Sequence, residues 1–370
     1  MKQISYKEYY NRVYGSWLGR VAGDFVGYPL EFRPYRHIVK KYGDKLDYYS
    51  KEINLDYVND DEMYEICALI AFEKHGINLT AKEIAQEWVN LLHKKNFTAE
   101  AKALKNLRNG IWPPDSAAHN NIWYDAIGAQ MRADIFGQIS PGCPESAKYF
   151  AEIDGSISHS GIGIEGEVFI AVLLSNAFFE SDIRKNIDHS LKFIPPAEKS
   201  LYSGMVLKAI EIYEKNKEDF REARQELIRN WHYIRKKKIK PKDRFMGKRR
   251  VKFLNKFMSA VHVLPNIGII ILSLLYGAED KKDPLGKSIC TAAMMGLDTD
   301  CNCGNIGAVL GAQLGAENIP PKWKAPLKDT FSTYVKGYEK WKLSDLAKRI
   351  SEIGKQVIKA KCQDRVKMIE

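Results

Sequence analysis

The sequence predicts an all-α fold on three observations. Apolar residues recur at three- and four-residue spacing in segment after segment, alternating strand patterns are few, and two stretches carry glycine at the helical repeat. The 370 residues can bury a large core, as one big domain or two smaller ones. An apolar fraction of 45% with 28% charged residues excludes a mainly disordered chain. No period of twenty to fifty residues recurs, which excludes a solenoid.

Taken in order, residues 6–30 open with Tyr9, Val13, Trp17 and Val21 on one helical face, with Gly15, Gly19 and Gly23 between them. Glycine at that repeat makes a flat face that another helix can approach, at a propensity cost of up to ~1 kcal/mol per residue. The turn Gly23–Phe32 follows, in which Asp24 reads as a cap and Glu31, beside Pro29, as a candidate site carboxylate. Residues 33–57 read as an irregular polar and aromatic loop. Met63, Ile66, Cys67, Ile70 and Ala71 then give a core-facing helix that Gly76 stops, and Thr80 with Glu83 forms a capping box for a helix through Ile84, Trp88 and Leu92. A helix over Leu104–Arg108 closes at Gly110–Asp115.

Residues 117–134 mix aromatics, amides and charges in a way no simple core helix does, and Pro141-Gly142 breaks the chain. A helix over 145–159 leads to Ser158-His159-Ser160-Gly161 and a long apolar helix from Glu165 to Phe179. Asp182 opens the next helix, Ile194-Pro195-Pro196 closes it, and one charged helix runs from about 200 to 230. Val261–Asn266 leads into an apolar helix over 267–276 that Gly277 terminates. Asp283-Pro284 opens a helix through Met294, which delivers the chain to Asp298, and Gly304–Ala316 reads as a small-residue helix that something packs against closely.

The stretch Met295–Gly304 places Asp298 and Asp300 inside an apolar, glycine-rich run. Burying ionised carboxylates is costly unless they are paired or coordinate a metal, and Asp-x-Asp lets two oxygens turn toward one hard cation. The plain alternative is an Asp that caps a helix, with the second favoured by the helix dipole. A second acidic pair, Asn59-Asp60-Asp61-Glu62, also precedes an apolar helix, and two such sites can share one metal centre. An isolated His is more often structural than functional, but the Ser and Gly around His159 mark a site loop.

Six cysteines are present, and the closest pair, Cys301 and Cys303, lacks the two-residue gap of zinc sites, so they read as reduced, buried thiols. The net charge of +11 is local: Arg235–Lys252 holds eleven basic residues against Asp243 alone and reads as a solvated loop or helix end rather than a nucleic-acid surface. The N-terminus has no apolar signal core, and the longest apolar stretch, Ile267–Tyr276, is too short to span a bilayer. The expectation is a soluble cytoplasmic protein with no membrane contact.

Together these motifs resemble the ADP-ribosylglycohydrolase family, which includes dinitrogenase reductase-activating glycohydrolase. Gly23-Asp24-Phe25-Val26-Gly27-Tyr28-Pro29-Leu30-Glu31 is similar to the family's Gly-Asp-x-x-Gly-x-Pro-x-Glu, Asn59-Asp60-Asp61-Glu62 to its Thr-Asp-Asp-Thr, and Gly296–Cys301 to its Gly-Gly-Asp-Thr-Asp-Thr/Ser. The matches run in family order from about residue 10 to 340 and end in Ile319-Pro320-Pro321-Lys322-Trp323. The resemblance implies a single domain over residues 1–370, a compact multi-helix bundle with a binuclear site between helices and a basic loop or insertion at about 232–252.

The resemblance further implies two divalent ions, Mg²⁺ or Mn²⁺, held by Asn59, Asp60, Asp61, Asp298, Asp300 and Cys301. Glu31, Asp61 and Asp300 take catalytic roles, and His159, Gly128, Ala129 and Asn121 bind substrate. The implied reaction is hydrolysis of an ADP-ribosyl N- or O-glycosidic bond by metal-bound water, on an ADP-ribosylated protein or a small ribosyl compound. Oxygen ligands suit Mg²⁺ or Mn²⁺, and an oxocarbenium-like state needs a carboxylate nearby. Three positions depart from the pattern: Asn59 and Glu62 replace threonines, Glu62 adding a charge near the metals, and Cys301, a soft donor, replaces Thr or Ser. The Asp-Thr-Asp-Cys-Asn form resembles a bacterial subgroup, so the substrate does not carry over from better-known members. The alternatives are an N-ribosyl hydrolase of a nucleoside-like compound and a noncatalytic ADP-ribose-binding protein. Clustered carboxylates that repel one another without metal argue against the latter.

Overall fold

The fold is organised by one helix pair. The computed structural model describes residues 1–43, 46–238 and 256–369. Helix α1 (Tyr6–Gly27) lies antiparallel against a helix near the other end of the chain, Thr299–Asn318, which is α13 in the numbering used below. Gly15 faces Gly311, Gly19 faces Gly307, Gly23 faces Cys303 and Gly27 faces Thr299, so closely that a Cβ on Gly19 or Gly307 would enter the other's backbone carbonyl. The small-residue stripes at the two ends of the sequence are thus the two halves of one contact. Thr299 Oγ1 locks it by donating to the Gly27 carbonyl at 2.8 Å. The C-terminal end of α1 and the N-terminal end of α13 therefore lie together.

Between them run helices α2 (Tyr35–Tyr42), α3 (Asp61–His75), α4 (Ala81–Leu91), α5 (Thr98–Arg108), α6 (Pro144–Gly155), α7 (Ile162–Ala177), α8 (Ile183–Ser190), α9 (Leu201–Lys215), α10 (Phe220–Lys238), α11 (Val263–Ala278) and α12 (Pro284–Met295). After α13 comes α14 (Leu343–Lys361), which packs along α1. Short strands complete it: β1 (Lys2–Ser5) pairs in parallel with β4 (Val366–Ile369), and β2 (Thr330–Ser332) pairs antiparallel with β3 (Lys340–Lys342). One buried apolar cluster runs from Ile4 to Val366. Among the described residues no helix is long and apolar enough to cross a membrane.

Local signals were read correctly where capping fixes a helix end. Thr80 and Glu83 form the expected reciprocal box, Asp182 accepts from the Lys185 N–H, and Asp283 accepts from the Gly286 N–H with Pro284 in the first turn. Three expectations were wrong. The loop at 33–57 contains α2, started after Pro34 and stopped at Gly43, whose φ of 62° suits only glycine readily. The single charged helix at 200–230 is two, because Asn216 caps α9 by donating to the Ile212 carbonyl and Asp219 accepts from the Arg221 N–H ahead of α10. The turn expected from Gly23, with Asp24 as a cap, is helix as far as Gly27, and Asp24 lies buried inside α1, which Ser5 caps. Of the basic window, residues 239–252 lie outside the described residues.

Candidate metal centre and active site

The clasped ends of α1 and α13 bring the acidic residues into one cavity. Just past α1, a 3₁₀ turn over Tyr28–Leu30 delivers Glu31. Asp298 sits immediately before α13, with Asp300 and Cys301 in its first turn, where the helix dipole favours negative charge. Its backbone N–H donates to Asn266 Oδ1 at 3.3 Å, and Asn302 Nδ2 donates to the same oxygen at 2.8 Å, so α11 holds the start of α13 in place. Asp60 and Asp61 stand at the start of α3. The resulting cavity has a volume of about 500 Å³, and its polar lining includes Glu31, Asn59, Asp60, Asp61, Glu100, Asp298, Asp300 and Cys301. Phe32, Tyr57, Phe97, Phe257 and Tyr334 contribute aromatic surface, and Lys95 a cation.

This donor set fits a divalent cation. One oxygen each from Asp298 and Asp300 and the sulfur of Cys301 lie within 4.8 Å of one another, and all three residues are buried. Asp300 Oδ1 is buried without a hydrogen-bond partner. Burial, then the charges of Asp300 and Asp60, push Glu31 up to about 9; burial, then Asp300 and Glu100, push Asp60 up to about 8. Burial and the charge of Asp300 hold Asp61 and Asp298 well above the usual carboxylate range. Burial, then the Asp298 and Asp61 charges, keep Cys301 a thiol in the absence of a cation. Such repulsion is what a bound cation relieves.

A stability prediction follows from these shifts. The folded, cation-free protein keeps protons that the unfolded chain gives up near pH ~4, so the native state binds more protons up to about pH 9 and stability falls as pH rises through that window. Thermal unfolding in EDTA should therefore show Tm falling from about pH 6 to about pH 9, and Mn²⁺ should raise Tm most at the upper end, by roughly 1–2 °C for each kcal/mol recovered in a chain of 370 residues. A cation effect independent of pH would contradict the electrostatic account.

Several anticipated residues have other positions. Gly128 lines the cavity, and a Cβ there would strike the Glu100 carboxylate. Ala129, Asn121 and His159 are not among the lining residues. His159 is 1% exposed and lies behind Glu100, its Nδ1 at 3.7 Å from Glu100 Oε1 and 2.8 Å from Ser158 Oγ. Asn121 donates to the Ser158 carbonyl at 2.9 Å and so braces the same layer. Asn59 Oδ1 accepts the Asp60 N–H at 2.8 Å, which leaves it one lone pair for a cation. The charge of Glu62 is not left facing the cavity: its carboxylate points to Arg20, 3.5 Å away.

Arg20, Glu65, Glu100 and Arg132 are the polar residues that sequence reasoning missed. Arg20 lies fully buried on α1 and reaches Asp61 at 3.4 Å and Glu65 at 3.3 Å besides Glu62, and it donates to Asp134. The signal was present, since an arginine between Gly19 and Val21, in the stretch Val13–Gly23 that is otherwise apolar, aromatic or small, must find partners inside. Glu100 is fixed by Arg132, whose Nη1 donates at 2.7 Å and whose Nε pairs with Asp154.

A sequence model described as ADP-ribosylglycohydrolase matches residues 5–358. No curated protein matched in sequence. A solved structure described as an ADP-ribosylglycohydrolase-related protein complex superposes with a TM-score of 0.56 at 15% identity, covering 94% of this chain and 99% of that one, a likeness of fold. With the family match spanning nearly the whole chain, this protein belongs to the ADP-ribosylglycohydrolase family.

Proposed function

We propose that the protein is a divalent-metal-dependent hydrolase of an ADP-ribosyl or closely related ribosyl glycosidic bond. The observation that carries this reading is the convergence of Glu31, Asp60, Asp61, Asp298 and Asp300, from segments far apart in sequence, on one cavity of about 500 Å³. Asp60, Asp61, Asp298 and Asp300 would hold Mg²⁺ or Mn²⁺, which when bound supplies Lewis-acid contact to ribose hydroxyls and acidifies water. Glu31, which lines the same cavity, would accept the proton of the attacking water once a bound cation relieves the repulsion that otherwise keeps its carboxyl protonated. The acidic residues of the cavity also favour the positive charge that develops on the sugar as the glycosidic bond breaks. Its aromatic residues offer faces for a base, and Lys95 offers a cation for phosphate.

The test is hydrolysis of Arg-linked and Ser-linked ADP-ribosyl protein, O-acetyl-ADP-ribose and simple nucleosides with Mg²⁺ or Mn²⁺, comparing the wild type with Asp298→Ala/Asp300→Ala. Release of ADP-ribose by the wild type, lost in the variant, is the expected result and identifies the linkage. Release of base from nucleosides alone would replace this reading with an N-ribosyl hydrolase. Binding of ADP-ribose with no turnover would make the protein a noncatalytic binder.

A further inference from the structure

We propose that Cys301 is a direct thiolate ligand, and that the centre therefore selects a thiophilic divalent ion such as Fe²⁺, Co²⁺ or Zn²⁺ over Mg²⁺. The inference rests on the reading of the acidic cluster as a metal centre and specifies which ion it takes.

The sulfur stands between the two acidic blocks. Cys301 is 4% exposed and lines the cavity. Its Sγ lies within 4.8 Å of an oxygen of both Asp298 and Asp300, and it donates to Asp61 Oδ1 at 3.4 Å. Three donors set about 2.0–2.3 Å around one ion are at most about 4.0 Å apart from one another, so donors that lie within 4.8 Å of one another close on an ion with shifts below about 1 Å each. Asp300 Oδ1, buried and without a hydrogen-bond partner, is the oxygen left for that ion. The other sulfur nearby, Met131 Sδ at 3.9 Å from Cys301 Sγ, makes the side of the site around the cysteine softer still.

Donor chemistry then decides the ion. Mg²⁺ demands hard oxygen donors in near-ideal octahedral geometry, whereas thiolate favours the later divalent metals. On binding, the Cys301 S–H bond breaks, a metal–sulfur bond forms and the proton leaves to solvent; no electrons are transferred. Helix α13 holds the cysteine in register with both aspartates, because its glycine contact with α1 leaves no room for it to slide.

The test is titration of the intact protein with cobalt(II) chloride, read by absorbance, alongside calorimetric titration with Co²⁺ and Mg²⁺. The wild type should develop a near-ultraviolet sulfur-to-cobalt charge-transfer band that Cys301→Ser lacks, although Cys67, Cys143, Cys290, Cys303 and Cys362 remain in both. Cys301→Thr should shift the preference between Co²⁺ and Mg²⁺ by about tenfold or more toward Mg²⁺. Cobalt bound with no charge-transfer band would overturn thiolate ligation while leaving the metal centre standing. Failure of the wild type to bind any divalent ion would overturn both. Should the variants not fold, alkylation of the wild type mapped by mass spectrometry still decides: Cd²⁺ must protect Cys301, and equal labelling with and without Cd²⁺ counts against the proposal.

Discussion

Arg20→Met is expected to cost about 3–5 kcal/mol of folding stability, the penalty for removing one partner from a buried ionic network. The guanidinium is fully buried and is shared among Asp61, Glu62, Glu65 and Asp134. Without it these carboxylates lose the cation they share, and Asp24, already pushed up by burial and by Glu62, adds to the repulsion. The loss should be largest at alkaline pH and shrink as the medium becomes acidic enough to protonate the orphaned carboxylates. Pairing the change with Glu62→Gln and Glu65→Gln should recover a substantial part, because it removes the uncompensated charges rather than the packing. Urea unfolding at several pH values checks the prediction, and a loss below about 1 kcal/mol, in the range of exposed ion pairs, would refute the assigned role.

Gly307→Leu is expected to destabilise the protein by about 3 kcal/mol, at the upper end of overpacking costs, and to disturb the site as well. The atom that a Cβ at this position would meet is the backbone carbonyl of Gly19, which has no rotamer to yield. Helix α1 must therefore move away from α13, and Glu31 moves with one while Asp298, Asp300 and Cys301 stay with the other. Divalent-ion affinity measured on the folded fraction should fall together with the urea midpoint. Gly204→Ala is the control: it lies in helix α9 with nothing near its Cβ position, so it should be neutral or stabilise by up to ~1 kcal/mol. Equal effects at the two positions would show that glycine loss alone, not the helix contact, is responsible.

Most of the fold was legible because its signals are local. A threonine three residues before a glutamate fixes a helix start whatever surrounds it, as at Thr80, and glycine at every fourth position of α1 declares a close helix contact without naming the partner. The acidic blocks were legible for the same reason, since two carboxylates beside an apolar helix are costly in any fold. Where charge hid the stop and start signals, as at Asn216 and Asp219, one helix was read in place of two.

The sequence by itself therefore determined the helical class, many helix ends, the flat faces of α1 and α13, and the acidic residues available to a site. Only the tertiary structure decided which of those residues share a cavity. Glu31 shares a cavity with Asp298 and Asp300 because two glycine stripes almost three hundred residues apart lock together, and Arg20 on the same helix reaches Asp61 at the start of α3. Glu62 turns from the cavity to Arg20, and His159 lies behind Glu100, because each direction is set by partners from distant segments. The physical reason is one of range: backbone conformation answers to neighbours within a helical turn, whereas the orientation of a buried charge answers to whichever opposite charge or dipole the whole fold brings within hydrogen-bonding distance.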